Sequence, residues 1–235
     1  MAIRHIKILG LALAAMTALT VAAVSSAWGA LPEFKGTAIP DSFTSVSTVE
    51  PKLDSYITLT STEKNILCKA AKGKGEISNA TSVKKVEVED TGCVEEGTTN
   101  KCGNKPGAAS GTITTKVVVG TIGYVEKATK KVGLALKPEV AGEPFAKFDC
   151  EGEAEEVTVR GCTIGEVTPI NTPSSKGTLT TAKKGTAHEQ QWTKFEGGES
   201  CTLEVEAGFF KLGTGPSWGV DTEEESFTTA IELKA

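Results

Sequence analysis

Residues 156–168 read E-V-T-V-R-G-C-T-I-G-E-V-T. Val157 and Val159 fall on one side of an extended chain, with Glu156, Thr158 and Arg160 on the other. Successive side chains of a strand point to opposite faces, so this two-residue period sets the valines on a core and the charged residues in water. A helix would need apolar residues every three or four positions.

The same period recurs on both sides of this stretch. Val86 and Val88 alternate with Glu87 and Glu89, and Val132, Leu134 and Leu136 share one face. Leu203 and Val205 oppose Thr202, Glu204 and Glu206. Phe227, Ile231 and Leu233 oppose Glu232 and Lys234. Turn formers separate the runs at Gly73 and Gly75, at 107–111, at 171–177, at Gly197 and Gly198, and at 213–216. The reading is all-β: on the order of a dozen short antiparallel strands in a sandwich or flattened barrel. A local pattern of Gly, any residue, Ile/Leu/Val, then Thr/Ser starts at Gly75, Gly111, Gly165 and Gly177. Its starts are 36, 54 and 12 residues apart, so no solenoid or propeller period exists. Each glycine is expected to end a turn just ahead of a strand.

The first thirty residues differ in kind. Arg4, His5 and Lys7 precede an apolar run from Ile8 to Val24, then the small residues Ser25, Ser26, Ala27 and Gly29. This order predicts a secretory signal peptide over 1–27, cleaved after Ala27, with Gly29 as the alternative end. An uncleaved membrane anchor is the rival, because the run approaches the ~20 residues that span a bilayer. After cleavage no second apolar run of spanning length follows. Residues 28–235 are expected to be a single all-β domain, or two subdomains meeting near residue 140. Removing 1–27 leaves 208 residues with 23 basic and 30 acidic side chains, a balance of −7. That excess repels phosphate backbones and anionic membrane surfaces, which argues against nucleic acid as a partner.

All six cysteines, Cys68, Cys93, Cys102, Cys150, Cys162 and Cys201, follow the signal. An even count in an exported chain predicts three disulfides, for which 15 connectivities exist. A zinc site would want close cysteine pairs and histidines, and His188 is the only histidine beyond the signal. Cys93 and Cys102 bracket the polar stretch 94–101, so they are expected to close that loop together. Cys68, Cys150, Cys162 and Cys201 share strand faces with apolar neighbours. Cys68–Cys150 and Cys162–Cys201 are the expected pairs among them.

A set of short motifs runs through the chain in order. It opens with L-P-E-F at 31–34, P-G-A-A at 106–109 and G-T-I-G-Y at 120–124. V-G-L-A-L-K-P at 132–138, F-A-K-F-D-C at 145–150 and V-T-V-R-G at 157–161 follow. I-G-E-V-T-P-I-N at 164–171 and I-E-L-K-A at 231–235 complete it. Together they resemble a large set of uncharacterised secreted proteins of soil actinobacteria, over nearly the whole chain beyond the signal. The resemblance implies export and a shared β fold, and it carries no activity or site residue. Members often have other residues at the positions of Cys162 and Cys201, consistent with a private pair here.

No catalytic, cofactor-binding or metal-binding motif stands out. Nucleophilic catalysis needs a base beside the nucleophile, and His188 sits in a polar stretch with no G-x-S-x-G in the chain. Paired carboxylates would suffice for glycoside hydrolysis. Candidates cluster at Glu95 and Glu96, at 151–156 and at 223–225, where runs of glutamate also read as solvated charge. Asp149, Glu151 and Glu153 alternate as calcium ligands would, without the D-x-D-x-D-G loop. Asn79-Ala80-Thr81 fits a glycosylation sequon. Among the late aromatics Trp192, Phe195, Phe209, Phe210 and Trp218, Trp218 is the expected exposed binding ring. The resulting expectation is a secreted or cell-surface β module, non-catalytic, that binds an extracellular polymer or an envelope component or serves structurally. A secreted glycosidase-like hydrolase is the alternative.

Overall fold

A computed structural model describes residues 31–47, 55–59, 64–104, 111–152, 156–181, 190–207, 210–214 and 221–235; at 55–59, 64–65, 207, 210–214 and 221–223 it describes the backbone only. The predicted signal peptide, His188, Phe209 and Trp218 lie outside these residues. Pro32–Ala235 form one compact unit. Its strands begin with β1 (Glu33–Gly36), β2 (Asp41–Ser47), β3 (Ser55–Leu59), β4 (Lys64–Cys68), β5 (Ala70–Asn79) and β6 (Ser82–Thr91). Next come β7 (Val94–Glu95), β8 (Cys102–Gly103), β9 (Thr112–Thr114), β10 (Val118–Glu126), β11 (Lys131–Pro138) and β12 (Ala146–Cys150). The last are β13 (Val157–Gly161), β14 (Thr163–Thr168), β15 (Ser174–Thr181), β16 (Leu203–Ala207), β17 (Phe210–Thr214) and β18 (Asp221–Lys234).

Eight of these close a ring. β2, β5, β6, β10, β11, β14, β15 and β18 are hydrogen-bonded in that order, and β18 returns to β2 with Phe227 opposite Phe43. Every pairing is antiparallel. The chain is therefore all-β and its main body is a closed barrel, which leaves no unpaired edge in the ring. β1 adds to the far half of β18, and β9 adds to β6.

Eight strands enclose a lumen that side chains can fill. Phe43, Ile77, Val83, Val86, Val118, Leu136 and Leu179 lie on the shared inner face and are buried. Glycines make room for them. A Cβ on Gly75 would stand 2.5 Å from Phe43 Cζ, and one on Gly165 would stand 2.6 Å from Leu179 Cδ1. This corrects the reading of the Gly-x-Ile/Leu/Val-Thr/Ser pattern: Gly75, Gly165 and Gly177 sit inside β5, β14 and β15. Only Gly111, with φ 69°, turns the chain into a strand, β9.

Direction alternates around the ring, so its connections divide between two rims. Short turns join β5 to β6, β10 to β11 and β14 to β15 at one rim. At the other rim, four long excursions leave: 48–69, 92–117, 139–162 and 182–220. They build a crown. β3 and β4 of the first excursion pair with each other, and β4 pairs with β7 of the second. β8 of the second, β12 and β13 of the third, and β16 and β17 of the fourth form a five-stranded sheet.

The disulfides stitch these excursions in series. Cys68–Cys93 joins the first to the second, Cys102–Cys150 the second to the third, and Cys162–Cys201 the third to the fourth. The expected Cys93–Cys102 and Cys68–Cys150 pairs are thereby replaced. The 93–102 loop is closed by its backbone instead, Cys102 N donating to Cys93 O at 3.0 Å beside the Val94–Lys101 bridge. Its two sulfurs are left to reach outward, one to β4 and one to β12. Each bridge across a loop of this length contributes about 2–4 kcal/mol, largely by restricting the unfolded chain.

The outer wall differs from side to side. Over β5 and β6 it is a ladder of ion pairs, Lys72–Glu89 at 2.9 Å and Lys74–Glu87 at 2.7 Å, with Lys84 and Lys85 both on Glu76. Those two ammonium groups hold the Glu76 carboxyl below the usual range, and the bond to Glu87 raises Lys74. Over β10, β11 and β14 the wall is apolar, with Val125, Ala135 and Ile164 packed against Trp192 and Phe195.

Candidate functional site

The second and third excursions part at the crown to leave an open groove of ≈ 640 Å³. One bank is β9. Ile113 faces Asp90 on the inside and is fully buried, so the two-residue period turns Thr112 and Thr114 to the other side. Thr115 ends the strand by pairing with Val88 twice: its N–H donates to Val88 O at 2.9 Å and its hydroxyl accepts from Val88 N at 3.0 Å. Lys116 follows, exposed, with its N–H donating to Phe145 O at 2.9 Å.

The other bank is the β12–β13 hairpin. Lys147 on β12 pairs with Glu156 at 2.6 Å. Asn104 spans the floor. Its Oδ1 accepts from Thr114 N at 2.5 Å, and its Nδ2 donates to Thr114 O at 3.0 Å and to Lys147 O at 2.7 Å. One side-chain amide thus serves as a missing strand residue for β9 and clamps β9 to β12. The groove offers threonine hydroxyls, a lysine ammonium and a lysine–glutamate pair, all polar, with Thr112, Thr114 and Lys147 on strands and Lys116 and Glu156 beside them.

Several of the predicted carboxylates have other partners, and the Glu223 side chain lies outside what is described. Glu95 is buried and accepts from Asn100 Nδ2 at 3.3 Å. Glu151 accepts from Lys101 N at 3.3 Å, and Glu224 pairs with Lys176 at 2.6 Å. Glu225 is buried on the lumen side of β18, level with Ser45 of β2. Glu96 is exposed, Asp149 lies on β12, and Glu153 and Glu155 fall outside the described residues. Among the described residues lining the groove Glu156 is the one carboxylate, already tied to Lys147. Glycosidic cleavage by paired carboxylates needs two, about 5–9.5 Å apart across the scissile bond. Among the described residues no cluster of three His, Cys, Asp or Glu side chains could hold a metal ion.

The late aromatics are not a described binding face. Trp192 and Phe195 are half-buried against the barrel wall, with Lys131 Nζ 5.6 Å from the Trp192 ring. Phe210 lies on β17. A second, smaller cleft of ≈ 300 Å³ opens beside Cys162, between the loop at 139–143 and Arg160. Arg160 is held there by Gly142 O at 2.7 Å and Glu206 at 3.2 Å.

No known protein family, curated protein or solved structure matches this chain. Of the groove residues, Glu156 fell within the predicted carboxylate cluster at 151–156; the others escaped sequence reading because separate segments supply them. The one signal was the alternation in 111–114, which sets Thr112 and Thr114 on a common face.

Proposed function

We propose that this protein is a non-catalytic module exported from the cell, secreted or held at the cell surface, that binds an extracellular polymer or envelope component through its crown. The observation that carries the reading is the construction of that crown. Four excursions leave one rim, three disulfides join them in series, and a polar groove lies between two of them. Such covalent bracing suits an oxidising compartment. It holds loops in place, as a rigid scaffold holds binding loops. Among the described residues no helix is long and apolar enough to cross a membrane. The hydroxyls of Thr112 and Thr114 and the Lys116 ammonium fit a hydroxyl-rich polymer that also carries anionic groups.

The test is a binding screen against cell-wall material and against neutral and acidic polysaccharides, run beside a broad hydrolase panel. Binding to an acidic polysaccharide is expected, weakened roughly fivefold to tenfold by Lys116→Ala or by Thr114→Val. Turnover abolished by a single Glu→Gln change would overturn the reading in favour of the hydrolase. Failure in both screens would leave a purely structural envelope protein.

A further inference from the structure

We infer that Cys162–Cys201 is a thiol-exchange site whose reduction by a dithiol frees a strap from the barrel wall, while the other two bridges and the ring stay intact. The inference does not depend on the binding role proposed above. The strap is a hairpin, 190–201, closed by the Lys194–Ser200 bridge and by Cys201 N donating to Thr193 O at 2.6 Å. It runs down the outer wall from the crown to the opposite rim. There Glu196 N donates to Tyr124 O at 2.8 Å, and Lys127 N donates to Glu196 Oε1 at 2.7 Å. The wall is cut for it: a Cβ on Gly123 would stand 2.7 Å from the Phe195 ring. Trp192 bridges to Ile164, and Gln190 accepts from Leu203 N at 2.8 Å.

Two observations single out this bridge. Cys162 is half-buried, whereas the other five cysteines are buried. The ≈ 300 Å³ cleft reaches Cys162 and is lined by Lys137, Glu143 and Arg160; Arg160 is already paired with Glu206, so the pull on an incoming thiolate comes from Lys137. No strand of the ring contains a cysteine, because all six lie in the excursions, so ring closure does not depend on any sulfur. In the exchange, a thiolate of the dithiol attacks Cys162 Sγ and the Sγ–Sγ bond breaks. Cys201 leaves as a thiolate and takes a proton from water. The second thiol of the reductant then displaces Cys162, which is protonated in turn, and the reductant departs as its own disulfide. What the strap uncovers is the apolar strip of Val125, Ala135 and Ile164.

The full chain, treated with a graded concentration of dithiothreitol under native conditions, is labelled with an alkylating agent and followed by hydrogen exchange. Cys162 and Cys201 should be labelled first, with the other four still bridged. Amides of 190–201 should then exchange on the order of 100-fold faster, the scale of the lost cross-link, while β10 and β11 remain protected. Lys137→Glu should slow the labelling roughly threefold by reversing one charge at the cleft mouth. The double variant Cys162→Ser/Cys201→Ser should show the fast strap without reductant. Labelling of all six cysteines at one rate, or an unchanged strap once Cys162 and Cys201 are labelled, overturns the inference. Should the double variant fail to fold, the wild-type labelling order and exchange decide alone.

Discussion

Gly75→Ala adds one methyl group to the barrel lumen. That methyl would stand 2.5 and 2.8 Å from Phe43 Cζ and Cε1, and 2.9 Å from Val86 Cγ2. All three distances are shorter than carbon atoms tolerate. The Phe43 ring has little freedom to retreat, because it meets Phe227 edge-on at 6.2 Å between centroids. Overpacking of this kind costs about 1–3 kcal/mol. An open, wet lumen predicts the opposite sign, since Gly→Ala at a compatible strand position stabilises by about 0.4–1 kcal/mol through the unfolded chain. Phe43→Leu removes the ring atoms in conflict and by itself costs about 1–2 kcal/mol of burial. The two changes together should be less harmful than their sum by about 1 kcal/mol or more. Urea unfolding of the four proteins measures this coupling, and each 1 kcal/mol should also move Tm by about 2–4 °C in a domain of this size. A neutral or stabilising Gly75→Ala, or additivity within about 0.5 kcal/mol, would refute a packed lumen.

Other consequences follow from single side chains. Asn104→Ala removes three hydrogen bonds to Thr114 and Lys147. Because water reaches this exposed site, the loss should be about 1–3 kcal/mol. Faster exchange of the Thr114 amide, with the barrel strands unchanged, would place the damage at the groove. Asp41, at the start of β2, is buried, which raises its pKa. The hydroxyl and N–H of Thr229 donate to it at 2.7 and 3.0 Å, and the net direction is down. A lowered carboxyl stabilises the fold above its unfolded value near about pH 4 and loses that contribution as pH falls through the folded value. Urea midpoints of wild type and Asp41→Asn should therefore converge as pH drops from 7 to 3, and a constant difference would contradict this.

Much of the fold could be read in the chain because strand alternation is a local property. Val157 and Val159, or Leu134 and Leu136, declare their faces without knowledge of any partner. Ring closure is not local: it depends on β18 meeting β2 across some 180 residues, and nothing in Phe43 or Phe227 alone announces the other. The inward glycines misled for a related reason. Gly75 and Gly165 look like turn formers until the lumen they spare for Phe43 and Leu179 is known. Pairing by proximity in sequence likewise failed for Cys93 and Cys102, since a backbone hairpin already joins their segments and each sulfur is free to fasten a different excursion. Asn104 carried no signal at all, because its role exists only when β9 and β12 lie side by side.

Non-reducing tryptic peptide mapping tests the serial crown most directly. Cleavage after lysine and arginine sets the six cysteines on six separate peptides: 65–69, 86–101, 102–116, 148–160, 161–176 and 195–211. The predicted cross-links are 65–69 with 86–101, 102–116 with 148–160, and 161–176 with 195–211. A peptide pair joining 86–101 to 102–116 would contradict the account, because the excursions would then be closed on themselves instead of fastened one to the next.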